Sequence, residues 1–238
     1  MLIALVSAKG SPGVTTAVLA LAASSGAVMV ELDPSGGSLE CWTGMSGEPG
    51  LVRVASGLRR SLETQSFDVG IVEVPPGVSA VLAPTSGPRS ESTIAAIGER
   101  LTLAMSESER TVILDAGRWG RSQATARRIA GCDAIAIVCR PTVSSIEAAR
   151  SLVEPLQSAT AAPVSLLLVD DRPYSATEVT AATGVRVAGV LARDSRGANA
   201  LVVSGAHRAW MRSALARSAR AALEQLAMPR MTAEEVMS

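Results

Sequence analysis

The chain has 238 residues, no net charge, 47% hydrophobic residues and 18% charged ones. This composition excludes a disordered chain, which combines low hydrophobicity with high net charge, and a polybasic nucleic-acid binder, which needs an excess of cations or a long basic block. At roughly 100–200 residues per domain, the length fits one large domain or two small ones.

In chain order, the apolar start Leu2–Ser7 predicts a strand, and it lacks the basic region of a signal peptide. A helix is expected over Thr15–Ser24, a strand over Ala27–Leu32 and a helix over Leu51–Leu62. Val69–Val74 reads as a strand, and Val81-Leu82 as a short one, antiparallel and near an edge. Then follow a helix over Glu91–Ser106, a strand over Thr111–Asp115 and a helix over Ala124–Gly131. Strands over Ala134–Cys139, Val164–Val169 and Val187–Leu191 alternate with helices over Ser144–Ala159, Ser175–Thr183 and Ala206–Ala227. Stretches rich in Gly, Pro and Ser at 44–50, 75–77 and 85–89 read as loops. The βαβα rhythm and continuously apolar strands predict a three-layer α/β/α fold around a mainly parallel sheet of roughly seven to eight strands. The rhythm crosses every loop, so one domain is expected over 1–238, with 228–238 as a flexible tail. Cys41, Cys132 and Cys139 are odd in number and lack metal-ligand spacing, and no window reaches the roughly 20 apolar residues of a membrane helix. Both point to a cytoplasmic protein with reduced thiols.

Ligands of such sheets bind at the carboxyl ends of strands, so the first strand–helix turn is the first candidate site. It reads Ser7-Ala8-Lys9-Gly10-Ser11-Pro12-Gly13-Val14-Thr15-Thr16. Glycines let a backbone wrap a phosphate, and the helix start offers N–H donors and a favourable dipole. The ordinary P-loop pattern fails twice, with Ala8 at its first Gly and Val14 at its Lys, which leaves a tight strand–helix turn equally open. Lys9 is the only lysine among 22 basic residues. Further along, Val30-Glu31-Leu32-Asp33-Pro34-Ser35-Gly36-Gly37 and Val112-Ile113-Leu114-Asp115 each end a strand on a carboxylate.

The turn resembles the deviant Walker A of the MinD/ParA family, K-G-G-x-G-K-[ST]-T, matched by Lys9, Gly10, Gly13, Thr15 and Thr16, with departures at Ser11 and Val14. The resemblance implies a P-loop NTPase fold of MinD/ParA type that binds ATP or ADP with Mg2+ through Lys9, Gly10, Ser11, Gly13, Val14, Thr15 and Thr16. In the family the lysine at the position of Lys9 reaches the phosphates of the partner subunit's nucleotide, which implies a nucleotide-dependent homodimer. The segment ending in Asp33 resembles the family's D-x-D-P switch, so Asp33 takes the place that orients the attacking water, with Glu31 for the preceding acid. Asp115 resembles the Walker B carboxylate and, with Thr15, implies the magnesium shell. Arg172 and Pro173 lie where the family contacts adenine, and Ala192 replaces the proline of its G-x-I-P-x-D turn. The implied catalytic residues are Asp33 and Lys9.

Val14 is similar to the small residue that the pilus-associated CpaE/TadZ branch carries at this lysine. Loss of one ammonium beside the phosphates costs about 1.5–3 kcal/mol, or one to two decades of affinity. The resemblance therefore implies a positioning protein with weak ATP binding and weak or absent hydrolysis, organising pilus or secretion machinery or a septum through protein partners. The alternatives are an active partitioning-type ATPase and a nucleotide-free scaffold. The C-terminal helix carries Arg208, Arg212, Arg217 and Arg220 on one face and Trp210, Met211, Ala214, Leu215 and Ala222 on the other. It reads as a packed helix with a solvated basic side, which leaves DNA or membrane contact with little support. His207, the only histidine, reads as a solvent-facing helix residue.

Overall fold

Strands apolar on both faces require cover on both, and the chain supplies it with two separate cores. The computed structural model describes residues 1–9, 12–63, 65–106, 109–120 and 129–228. Gly10, Ser11, most of the helix expected over 124–131 and the tail beyond 228 lie outside them. Among the described residues eight strands form one sheet: β1 (Leu2–Ser7), β2 (Val28–Glu31), β3 (Val72–Val74), β4 (Val78–Val81), β5 (Val112–Arg118), β6 (Ala134–Cys139), β7 (Val164–Val169) and β8 (Val187–Leu191). Their order is β3-β4-β2-β5-β1-β6-β7-β8, and only β3 runs antiparallel to its neighbour. The short strand expected near Val81 is β4, one place in from the edge, parallel to β2 and antiparallel to β3.

Among the described residues the helices are α1 (Val14–Ser25), α2 (Leu39–Thr43), α3 (Gly50–Leu58), α4 (Gln65–Asp68), α5 (Gly87–Ile97), α6 (Arg100–Ser106), α7 (Val143–Ala159), α8 (Ala176–Thr183), α9 (Ser195–Ala200), α10 (His207–Met211) and α11 (Ala214–Ala227). Side chains alternate along β1: Leu2, Ala4 and Val6 meet residues of α3, α5, α6 and α7, whereas Ile3 and Leu5 meet those of α1 and α11. The sheet thus lies between two helical layers, as the element rhythm predicts.

Two expected helices divide. Gly98, at φ 53°, separates α5 from α6, and α5 starts earlier than expected because Pro88 suits its first turn. At the C-terminus, Ser213 takes an extended conformation and caps α11 by accepting the Ala216 N–H at 2.9 Å, so the helix expected over 206–227 breaks into α10 and α11. Trp210 is fully buried, but Met211, expected on the packed face, is 41% exposed. The four arginines of that segment are exposed, as is His207, whose Nδ1 lies 3.1 Å from the Pro76 carbonyl oxygen. Among the described residues no helix is long and apolar enough to cross a membrane.

Candidate nucleotide site at the carboxyl edge of the sheet

Gly13 is the N-cap of α1 and has a left-handed backbone, φ 100°, that favours glycine. It has no side chain to cap the helix, and the first turn of α1 contains no acid. The opening N–H groups and the positive end of a 12-residue helix therefore remain available to an anion. Lys9 is exposed on the approach to this turn. Val14 faces away from it: its side chain is 7% exposed and packs into the core beneath α1. That position offers a backbone N–H and no charge.

Parallel register places three acids nearby. Asp115 pairs with Leu5 on one side and Glu31 on the other. Register partners share a sheet face, so both carboxylates lie on the α1 side. Asp115 is 2% exposed, accepts the Gly117 N–H at 3.0 Å and is hydrogen-bonded by the Thr15 side chain. Burial pushes its carboxyl up to about 7, helped by repulsion from Glu31 and Asp33 and opposed by the Thr15 and Gly117 donors.

Glu31 is 1% exposed and has a different task. Its Oε1 accepts the N–H groups of Ser38 at 2.7 Å and Leu39 at 2.9 Å, and its Oε2 accepts that of Ala83 at 3.1 Å. One carboxylate thus ties the turn after β2 to the segment after β4. Burial raises its pKa above the ordinary value despite these three donors. Gly37 is required beneath it, since a Cβ there would come within 2.5 Å of both Glu31 Oε2 and the Ala83 carbonyl.

Asp33 is half-buried; its Oδ1 accepts the Ser35 N–H at 2.8 Å and its carbonyl accepts the Ser90 hydroxyl at 2.7 Å. Its carboxylate rests on the bare backbone of Gly117, where any Cβ would overlap it. Gly117, at φ 63°, lies in a β-bulge, because Leu5 pairs with Asp115 whereas Ser7 pairs with Arg118.

Lys9, Gly13, Thr15, Thr16, Asp33 and Asp115 therefore gather at the carboxyl ends of β1, β2 and β5. Arg172 and Pro173 do not join them closely. They are exposed on the loop after β7, two strands from β1, which at ordinary spacing is about 10 Å. The anchoring by Glu31 and the bulge at Gly117 escape sequence reading; the only available signal is a glycine two places beyond a strand-end acid.

The donors fit magnesium. Thr15 and Asp115 offer hard oxygen ligands at a helix start, and a cation would relieve a buried carboxylate that has no ion-pair partner among the described residues. No group of three or more His, Cys, Asp and Glu among the described residues forms a metal cage. One or two protein ligands completed by water and phosphate is the usual magnesium arrangement.

No family model and no curated protein sequence matches the chain. Solved structures do. A ParA family ATPase from Chlorobium tepidum aligns with TM-score 0.72 and 17% identity over 95% of this chain and 99% of its own. The cell division ATPase MinD of Pyrococcus furiosus aligns with TM-score 0.74 and 15% identity over 94% and 97%. The septum site-determining protein MinD of Pyrococcus horikoshii, complexed with Mg-ADP, gives 0.73 and 14% over 95% of each chain. The fold is that of the MinD and ParA ATPases.

Proposed function

We propose that this chain is a MinD/ParA-type positioning protein, nearest in character to the CpaE/TadZ branch, that binds ATP or ADP with Mg2+ weakly and hydrolyses ATP slowly or not at all. The observation that carries the reading is the contrast within one turn. Val14 is sunk in the core at the P-loop lysine position, while the free start of α1, exposed Lys9 and the Thr15–Asp115 pair remain. In this reading the amides of Gly13 to Thr16 bind phosphate, Thr15 and Asp115 hold magnesium, and Gly10 and Ser11 complete the loop. Bound magnesium would neutralise charge on adjacent phosphates. Lys9 reaches towards the nucleotide of a second copy, so dimerisation follows nucleotide binding. Arg172 and Pro173 flank the base. The whole of 1–238 acts as one domain and presents protein partners of pilus, secretion or division machinery with one nucleotide-dependent face.

Calorimetry with ATP and Mg2+ tests this directly. Weak but measurable binding is expected, together with an ATP-dependent rise in molecular mass that Lys9→Ala abolishes. No heat at millimolar ATP would leave a nucleotide-free scaffold and remove the reading. A second reading, a working partitioning-type ATPase, draws on the seating of Asp33 against Gly117 beside Asp115. It requires magnesium-dependent phosphate release that Asp33→Ala abolishes.

A further inference from the structure

The P-loop has lost a cation at Val14, yet another cation stands at the same edge. β5 enters the bulge with Asp115 opposite Leu5 and leaves it with Arg118 opposite Ser7. Three residues of β5 therefore span two of β1, and the extra residue reverses the alternation beyond Gly117. Without it, Arg118 would share the face of Leu114 and Ala116, which belong to the core away from α1. With it, Arg118 pairs with Ser7, which lies on the face of Leu5 and Asp115. The register is secured just beyond, where the Trp119 N–H donates to the Ser7 carbonyl at 2.8 Å. Ser7 is also the last residue of β1, where the phosphate-binding turn begins.

Arg118 is exposed and makes no ion pair with any described residue, although Glu31, Asp33 and Asp115 all lie at this end of the sheet. Bulges beside active sites commonly re-aim a side chain. A guanidinium presents a fork of donors that matches phosphate oxygens two at a time.

We propose that Arg118, turned by the β5 bulge onto the α1 face beside the phosphate-binding turn, is a phosphate-binding residue of the nucleotide site and supplies in cis the cation that Val14 lacks. This assignment rests on the nucleotide-binding reading above. It adds that affinity depends on the number of phosphates through a residue outside the loop.

The test is titration of ATP, ADP and adenosine with Mg2+ into the wild-type chain, Arg118→Gln and Arg118→Lys, each checked by thermal melting. Arg118→Gln should weaken ATP at least about tenfold, the typical worth of one charge-assisted contact. ADP should weaken less, adenosine not at all, and Arg118→Lys should recover part of the loss. Equal ATP affinity in wild type and Arg118→Gln would overturn the assignment and leave the nucleotide reading standing. An equal loss for adenosine would also overturn it, by showing a structural effect. Absence of ATP binding by the wild type would remove both.

Discussion

Glu31 spends a carboxylate on backbone. Three N–H groups from two segments converge on it, those of Leu39 and Ala83 in buried contacts, so shortening it leaves buried donors unsatisfied at about 1–3 kcal/mol each. Glu31→Ala should destabilise the chain by at least about 2 kcal/mol in urea unfolding. Glu31→Gln, which turns an amide donor towards one of those N–H groups, should fall between it and wild type. Asp115 governs pH dependence. Its carboxyl is raised from 3.8 to about 7, so the folded chain holds a proton that the unfolded chain releases. That contribution is fully present below pH 3.8 and is lost as pH rises through about 7. The nucleotide-free protein should therefore lose stability as pH rises from 3.8 to about 7, and Asp115→Asn should flatten that slope. At pH 8 the variant should gain on the order of 2 kcal/mol over wild type by urea unfolding at fixed temperature. None of this is legible in the residue letters, because an acid at a strand end looks the same whether it binds metal or ties down a turn.

Elements were legible where hydrophobic pattern sets them. β1, β6, β7 and β8 match the apolar runs residue for residue, since a strand covered on both faces cannot admit a polar residue without cost. Breaks within helices were not, because the apolar period passes through Gly98 and Ser213 without interruption. The turns α2 and α9 are too short for a period at all, and α9 owes its place to Asp194. That carboxylate accepts the Gly197 N–H at 2.9 Å and the Ala214 N–H at 3.0 Å, and so caps α9 and ties the start of α11 to it. Asp194→Ala should cost about 1–3 kcal/mol on thermal or urea unfolding, more than a single cap is worth. The Gly197 donor above all holds the Asp194 carboxyl below its ordinary 3.8. The double cap therefore survives mild acid and is lost only as pH falls through that lowered value.

At the scale of the whole molecule, zero net charge conceals where individual charges stand. Lys9, Arg118, Arg140, Arg172 and Arg193 lie at or just past the carboxyl ends of β1, β5, β6, β7 and β8, and all are exposed. Among the described residues, Arg193 alone of the five makes an ion pair, with Asp170 at 3.9 Å. Exposed cations of this kind act through solvent and are screened within about 10 Å at 0.1 M salt. Raising NaCl from about 50 to 500 mM should therefore weaken ATP several-fold in calorimetry, with adenosine indifferent. Composition could not show this, since it sums charge without placing it, and the strand order that gathers the five residues belongs to the folded chain. The one-residue excess in β5 carries a lesson about parity. In a chain without it, the residue two places beyond the acid, not three, would stand beside Ser7 on the nucleotide side. Matching letters column by column against a chain without the bulge would therefore set Arg118 beside a residue of the opposite face. Counting steps from Asp115 with the bulge included tells which face each later residue of β5 takes.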